Sequence, residues 1–425
     1  MAKIYKFESG LSLVYEKNNI NKSTSIQVRF GCGSRCDGNI PGLSHFCEHM
    51  FFAGTNKLSK QQVVDRYFKF GNVNAYTNTE DIAFVGTIMS NKLAEYLTTV
   101  QDLVCNSAFA PDAIEEEKKI VIQEIVKDAD NYPSRAYEFE HYGLYGLQHY
   151  KNGELGSEQS VSSITSKDVK KYVKKYFVKN NCSIFICSAL SFDKVKRIVK
   201  KYFDSVMPSN NLKPFTYSEN KFVKGNIIQQ QKNNIGKNFV SVFLKVDEAS
   251  VDVKSRAHLG MFSNIIGEFS TGITKELRLD NSLVYSAYSY YIINKTNSAL
   301  IISTEISKEN IKPCLDVIFK YINNLKLNGF TKELYDKEKD RNEYYWQTDV
   351  LSPRDICFNL KNIRLYGRYV SYKEIYEAYK KVSYEELNES VKDFINRSEI
   401  LVSVYGDADK KDVYTLKQIE KKFTC

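Results

Sequence analysis

Two kinds of apolar spacing run along the chain. Stretches such as "STSIQVRF", ending at residue 30, and "FVSVFLK", ending at 245, follow charged loops and are alternating or continuously apolar, as strands are. Longer stretches carry apolar residues at helical spacing and predict helices over about 42–54, 59–69, 90–107, 112–130, 134–146 and 166–176. At 164, "ITSKDVKKYVKKYF" sets a Thr or Ser at the N-cap of an amphipathic helix, and "VSYEELNESVKDFI" at 382 does the same. Each is followed by a short buried-strand run, "CSIFICSA" and "EILVSVYG".

These echoes are a repeat. "KNNINKSTSIQVRF" begins at 17 and "KNNIGKNFVSVFLK" at 232, an offset of 215, while the helix-strand pair recurs at an offset of 218. Two similar units of about 210 residues follow in tandem, predicted as domains 1–210 and 211–425 and joined near "MPSNNLKPFTYSEN", residues 207–220. Strands and helices alternate irregularly within each. The fold class expected is α+β, with a mainly antiparallel sheet packed with helices in each domain.

Composition narrows the field. At 425 residues, 43% hydrophobic and 26% charged, the chain has a globular profile, and no apolar run reaches the roughly 20 residues that span a bilayer. The opening "MAKIYKFESGLSLVY" lacks a signal or transit pattern, so a cytoplasmic protein without membrane association is expected. Nine irregularly spaced cysteines suit reduced thiols. The net charge of +9 comes from lysines mixed with acids on helix faces, and no aromatic-basic repeat points to nucleic acid. "GCGSRCDG" at 31–38 lacks the phosphate-loop lysine and reads as a turn.

Only five histidines occur, and two of them, His45 and His49, flank Glu48 in "SHFCEHMFFAGT". Four residues apart on a helix, the imidazoles share a face and converge on a point that can hold zinc, two thirds of a three-ligand catalytic site. Glu48 borders that face and can act as general base and then general acid. The order H-x-x-E-H is the inverted zinc motif. For the third ligand, "DAIEEEKKIVIQEIVKDAD" at 112–130 offers Glu117 and Glu124, two turns apart on one face, and spacing leaves the choice open. At an offset of 215 the second unit has Gly260, Ser263 and Asn264, so only the first can hold the metal.

"PGLSHFCEHMFFAGT", "GNVNAYTNTED" and "EEEKKIVIQEI" together resemble the pitrilysin, insulysin and mitochondrial processing peptidase family of zinc metallopeptidases, and the likeness runs over essentially the whole chain. It implies a half-clamshell of two homologous domains, one zinc ion per chain, Glu124 as third ligand and Glu117 as a glutamate that orients the ligands. It further implies that Asn74, Ala75 and Tyr76 lie on an edge strand that pairs with the substrate backbone, where the residues alone suggest a core strand. "GEFSTGITKELRLDNSLVYSAYS" is similar to the stretch that supplies an arginine and a tyrosine, here Arg278 and Tyr285, to polarise the substrate carbonyl. "LDNS" departs from the family's usual residues before "LVYS", so loop shape and substrate preference are open.

The function expected is zinc endopeptidase action on flexible peptides or leader segments inside a dimeric chamber, as a homodimer or as a heterodimer with a related subunit. A non-catalytic subunit is the rival reading, but such members lose the zinc motif or the Arg/Tyr pair, and both are present here. A thioether lyase with a similar motif is a single short domain, unlike this tandem chain.

Overall fold

A computed structural model describes residues 2–145, 153–212, 225–230, 235–246, 252–293, 298–349 and 351–424. Most of the expected linker, 213–220, and the last residue of the helix expected over 134–146 lie outside them.

The strands are β1 Lys3–Lys6, β2 Ser12–Lys17, β3 Ser23–Phe30, β4 Asn72–Thr77, β5 Ile82–Met89, β6 Cys182–Ser188, β7 Gly225–Gln230, β8 Asn238–Val246, β9 Ala287–Ile293, β10 Ser298–Ile306 and β11 Glu399–Gly406. The helices of the first half are α1 Leu43–Phe52, α2 Lys60–Phe68, α3 Leu93–Asn106, α4 Pro111–Ala129, α5 Tyr132–Tyr145, α6 Glu158–Ser163, α7 Ser166–Tyr176 and α8 Phe192–Val199. Then come α9 Val253–Gly267, α10 Ile311–Asn328, α11 Lys332–Thr348, α12 Pro353–Asn359, α13 Tyr372–Lys381, α14 Tyr384–Arg397 and α15 Leu416–Thr424. The fold is α+β, two mixed sheets packed with helices.

One sheet runs β1-β2-β6-β3-β5-β4 and the other β7-β11-β8-β10-β9. Matched by position, β2, β6, β3, β5 and β4 correspond to β7, β11, β8, β10 and β9. Each sheet has one parallel pairing, β2 with β6 and β7 with β11, and is otherwise antiparallel. The repeat read from the sequence is therefore a repeat of topology, with one more strand in the first sheet among the described residues.

The chain forms two compact units, and each takes a segment from the opposite half of the sequence. The first comprises Met1–Tyr132, Gln148–Ser218 and Val350–Ile363; the second comprises Pro133–Leu147, Glu219–Asp349 and Arg364–Cys425. In the first unit α12 packs on β3 and β6. There Gln27 Nε2 donates to Cys357 Sγ at 3.6 Å, and Cys357 donates to the Phe185 carbonyl at 3.4 Å. In the second, Glu140 of α5 accepts hydrogen bonds from Ser241, Ser303 and Tyr290 on β8, β10 and β9.

Strand alternation gives the first sheet two unlike faces. Ile26, Val28, Phe30, Val73, Ala75, Ile82 and Phe84 point to one side and join Phe46, Met50 and Phe51 of α1 in the core. The other side carries Gln27 and Arg29. The Arg29 guanidinium, 2% exposed, pairs with Asp81 at 2.5 Å and bonds Gln27 at 2.7 Å and the Tyr76 hydroxyl. A buried charge survives only when paired and hydrogen-bonded in this way. The second unit has its own core, built on Val240, Val242, Leu300, Ile302, Val402 and Val404.

Candidate active site

The stretch "GCGSRCDG" forms the turn between β3 and α1, and its Asp37 starts the helix. Asp37 accepts from the Gly42 and Ser44 backbone N–H groups at 2.7 and 2.8 Å, satisfying donors that the first helical turn leaves free. Gly42 caps α1 at φ +87, and a Cβ there would meet the Leu155 carbonyl oxygen at 2.3 Å, so neither backbone nor space admits another residue. Seven of the ten residues of α1 are buried, His45 among them. The helix is thus fixed in the core by Phe46, Met50 and Phe51 while the intervening turn presents His45, Glu48 and His49.

Helix α4 faces them. Ile114, Glu117 and Val121 form its buried stripe, and Glu124 continues the same face one turn on. Donor atoms of His45, His49 and Glu124 all lie within 4.8 Å of one another. Glu124 Oε2 is 3.8 Å from His45 Nε2 and 3.4 Å from His49 Nε2. Bonds of about 2.0–2.2 Å in a tetrahedron separate zinc ligands by about 3.3–3.5 Å, so the three residues fit the ion. His45, 9% exposed, has no partner at Nδ1 among the described residues, and its Nε2 is aimed at the common point.

The electrostatics favour a cation there. Burial and the neighbouring His49 push His45 down to about 4, so it is neutral at pH 7 with a lone pair to give. Burial also acts to lower His49, but its contacts with Glu117 and Glu124 outweigh that and hold it at about 9. Those carboxylates stabilise positive charge on the ring, and a dication would take the proton's place. Of the two candidates the residues alone left open, Glu124 reaches both imidazoles, whereas Glu117 Oε2 sits 3.3 Å from His49 Nδ1, behind the ring. A carboxylate there sets the tautomer and leaves Nε2 for a metal.

Three contributors carry no motif. Lys60, at the start of α2, pairs with the 3% exposed Glu117. Thr77 Oγ1 donates to Glu48 Oε2 at 2.7 Å, while burial raises the Glu48 carboxyl above its ordinary range. Asp37 is the third. The period-two pattern of "NVNAYT" could have signalled Thr77, which lies on the core-facing side with Val73 and Ala75; nothing local signals Lys60.

Strand β4, with Asn74, Ala75 and Tyr76, ends its sheet and pairs only with β5 among the described residues. Ala75 is buried, Asn74 exposed, and the Asn74 carbonyl accepts from Tyr67 at 2.9 Å. Arg278 and Tyr285 belong to the second unit. The Arg278 guanidinium lies 4.5 Å from the Tyr285 ring and 5.2 Å from that of Phe269; Tyr285 is 80% exposed.

Gly260, Ser263 and Asn264 all lie on α9, at the positions that His45, Glu48 and His49 hold on α1. Asn264 Nδ2 donates to Glu338 Oε1 of α11 at 2.8 Å, and Glu338, 3% exposed, is bound by Arg341. The second unit therefore keeps the His49–Glu117 contact as an amide-carboxylate pair with a guanidinium in place of Lys60. With glycine and asparagine in place of the two imidazoles, that unit shows no metal-binding cluster among its described residues.

Residues 12–156 match the family model described as insulinase (peptidase family M16), and residues 163–342 match that of the peptidase M16 inactive domain. An uncharacterized zinc protease, YmxG, of Bacillus subtilis is 25% identical over 91% of this chain and 94% of its own length. The mitochondrial-processing peptidase subunit beta of Saccharomyces cerevisiae is 22% identical over 90% and 86%. A peptidase M16 inactive domain structure from Pseudomonas fluorescens shares the fold with a TM-score of 0.82 at 17% identity, covering 96% of this chain and 98% of that one. With both halves matched in order, the chain belongs to the insulinase family of peptidases, family M16.

Proposed function

We propose that this chain is a zinc-dependent endopeptidase that cleaves flexible peptides. What carries the proposal is the convergence of two imidazoles and a carboxylate beside the half-buried carboxyl of Glu48 and an edge strand. The B. subtilis relative bears the name zinc protease. Zinc held by His45, His49 and Glu124 supplies a Lewis acid and a water of lowered pKa. Glu48, held by Thr77, takes the proton from the attacking water and delivers it to the leaving amine.

The peptide joins β4 as a further strand at Asn74, Ala75 and Tyr76, held through its main chain. Only an extended segment can do so, which limits substrates to flexible peptides or leader segments. The Tyr285 hydroxyl donates to the scissile carbonyl oxygen as charge develops there, and Arg278, stacked on that ring, helps hold the peptide. An 80% exposed tyrosine against a guanidinium and the half-exposed Phe269 suits a surface that a second chain covers. The assembly proposed is a dimer, of two such chains or with a related subunit, that encloses the sites. All eight described cysteines are free, which fits a cytoplasmic location.

The test is Glu48→Gln, which keeps shape but cannot accept a proton. Zinc should stay near one per chain while hydrolysis of a fluorogenic peptide falls about 100-fold or more. A variant that purified without zinc, or cut at near wild-type rate, would overturn the assignment.

A further inference from the structure

On the face of β4 turned away from α1, side chains two apart stand in a row: Asn72, Asn74 and Tyr76. Together with Thr87 of β5 and with Arg354 and Phe358 of α12, they line a hollow of about 90 Å³ within the first unit. Asn72, Asn74 and Arg354 are exposed, and the Tyr76 hydroxyl is already bonded to Arg29. Among the described residues no carboxylate lines the hollow. Among the described residues Arg354 has no ion pair; its guanidinium rests 5.6 Å from the Phe358 ring. Asp355 beside it is engaged at the start of α12, accepting from the Ser352 N–H at 2.9 Å and hydroxyl at 2.6 Å.

A strand added along β4 directs alternate side chains to opposite faces. One set meets the α1 side, and the other comes to the rim of this hollow, which reaches from β4 inward over β5 and β3, about 5 Å from its β4 neighbours. The side chain that enters meets the Arg354 guanidinium and two amides that can donate; Asp355, whose charge Arg354 also feels, is engaged by Ser352. Resting the proposal on β4 as the substrate strand, we propose that Arg354, with Asn72 and Asn74, forms a selectivity pocket for an acidic side chain of the peptide. Substrates would then carry Asp or Glu at one position, with neighbours two residues away tolerated on the same face. A chain of net charge +9 adds long-range attraction for such peptides, but the pocket fixes the position.

The experiment is a set of internally quenched peptides that differ only by Glu, Gln or Lys at each position in turn, cut by the zinc-loaded enzyme. At one position, or at two positions spaced by two, kcat/KM should favour Glu over Lys by about fivefold or more, as a half-exposed Arg–carboxylate pair supports. Arg354→Glu should reverse that ratio at the same positions while zinc per chain stays as in wild type. The same peptides, labelled, are titrated by fluorescence polarisation onto zinc-loaded Glu48→Gln and Glu48→Gln/Arg354→Glu, so that preference is read without turnover. Preference in binding with no cleavage by wild type would sink the peptidase assignment and leave the pocket standing. A charge profile that Arg354→Glu leaves unaltered in both assays would overturn the pocket.

Discussion

Replacing Glu117 by glutamine removes a charge that sits behind His49, and the cost to metal binding can be worked from the site. His49, raised from an ordinary 6.5 to about 9, favours a positive charge by about 3 kcal/mol at 1.36 kcal/mol per pKa unit. Both partners of the close contact are largely buried, with side-chain exposures of 23% for His49 and 4% for Glu117, so solvent screens it little. Glu117 and Glu124 as hydrogen-bond partners, with the Glu48 charge, produce that rise against the opposing effect of burial. Glu117→Gln should therefore lose about 10- to 100-fold in zinc affinity, the range for groups that orient a metal's histidine. Glutamine also puts an amide N–H₂ toward either the Lys60 ammonium or His49 Nδ1, because both carboxylate oxygens are in use. Competition against a fluorescent chelator at pH 7.5 would measure zinc affinity for wild type, Glu117→Gln and Glu124→Gln. Glu124→Gln should be the weaker of the two by at least another tenfold, since it loses a donor atom rather than its support. Lys60→Met, which frees Glu117 of its competing cation, should bind zinc as tightly as wild type or tighter. The reverse order for the two glutamates would make Glu117 the ligand and refute the use made of the 3.4 and 3.8 Å spacings.

Glu48→Gln and Tyr285→Phe should each be a poor enzyme alone. If two copies of the chain complete each other's sites, mixing under proven subunit exchange leaves about half the dimers mixed, each with one intact site, and restores about a quarter of wild-type activity; no recovery would place the whole site in one chain or with another protein. Glu268 offers a pH test in the second unit: burial would raise its carboxyl, but the Thr271 and Ser270 donors and Lys337 hold it down at about 2. A depressed carboxyl contributes stability above its unfolded value near 4.5 that is lost as pH falls toward 2, so Glu268→Gln, with the shift discounted for solvent screening of its oxygens, should cost about 2 kcal/mol at pH 7 and progressively less below pH 4.5. Urea unfolding followed by the single tryptophan, Trp346 of α11, reads this unit, and a difference that did not shrink with acid would remove charge as the cause.

Much of this arrangement is legible in the sequence because it is written in local terms. The periodicities that predict helices over 42–54, 59–69, 90–107, 112–130 and 166–176 correspond to α1 to α4 and α7, with ends shifted by up to three residues. The 215 offset carries β3 onto β8 without adjustment. His45 and His49 could be paired because a helix fixes where residues four apart point. What could not be read is which surface an amphipathic stretch will meet. An apolar stripe on α5 or α12 specifies burial but not a sheet, and both cross to the opposite half's sheet. The choice between Glu117 and Glu124 failed on spacing for a related reason: two turns apart, they share a face, and only the depth at which α4 lies against α1 tells which reaches both rings. Arg354 was invisible for the same cause, since it is one arginine among many until α12 sets it over β4.

That crossing of α12 has a consequence for how the molecule is made. Synthesis runs from the N-terminus, and Pro353, where α12 begins, follows Ser188, the end of β6, by 165 residues. At about 5–20 residues per second the ribosome needs roughly 10–30 s to cover that distance. Through this interval every strand of the first sheet exists, yet the side bearing Gln27 and the Arg29–Asp81 pair has no cover. A nascent chain must hold that charged surface wet and unaggregated until α12 arrives.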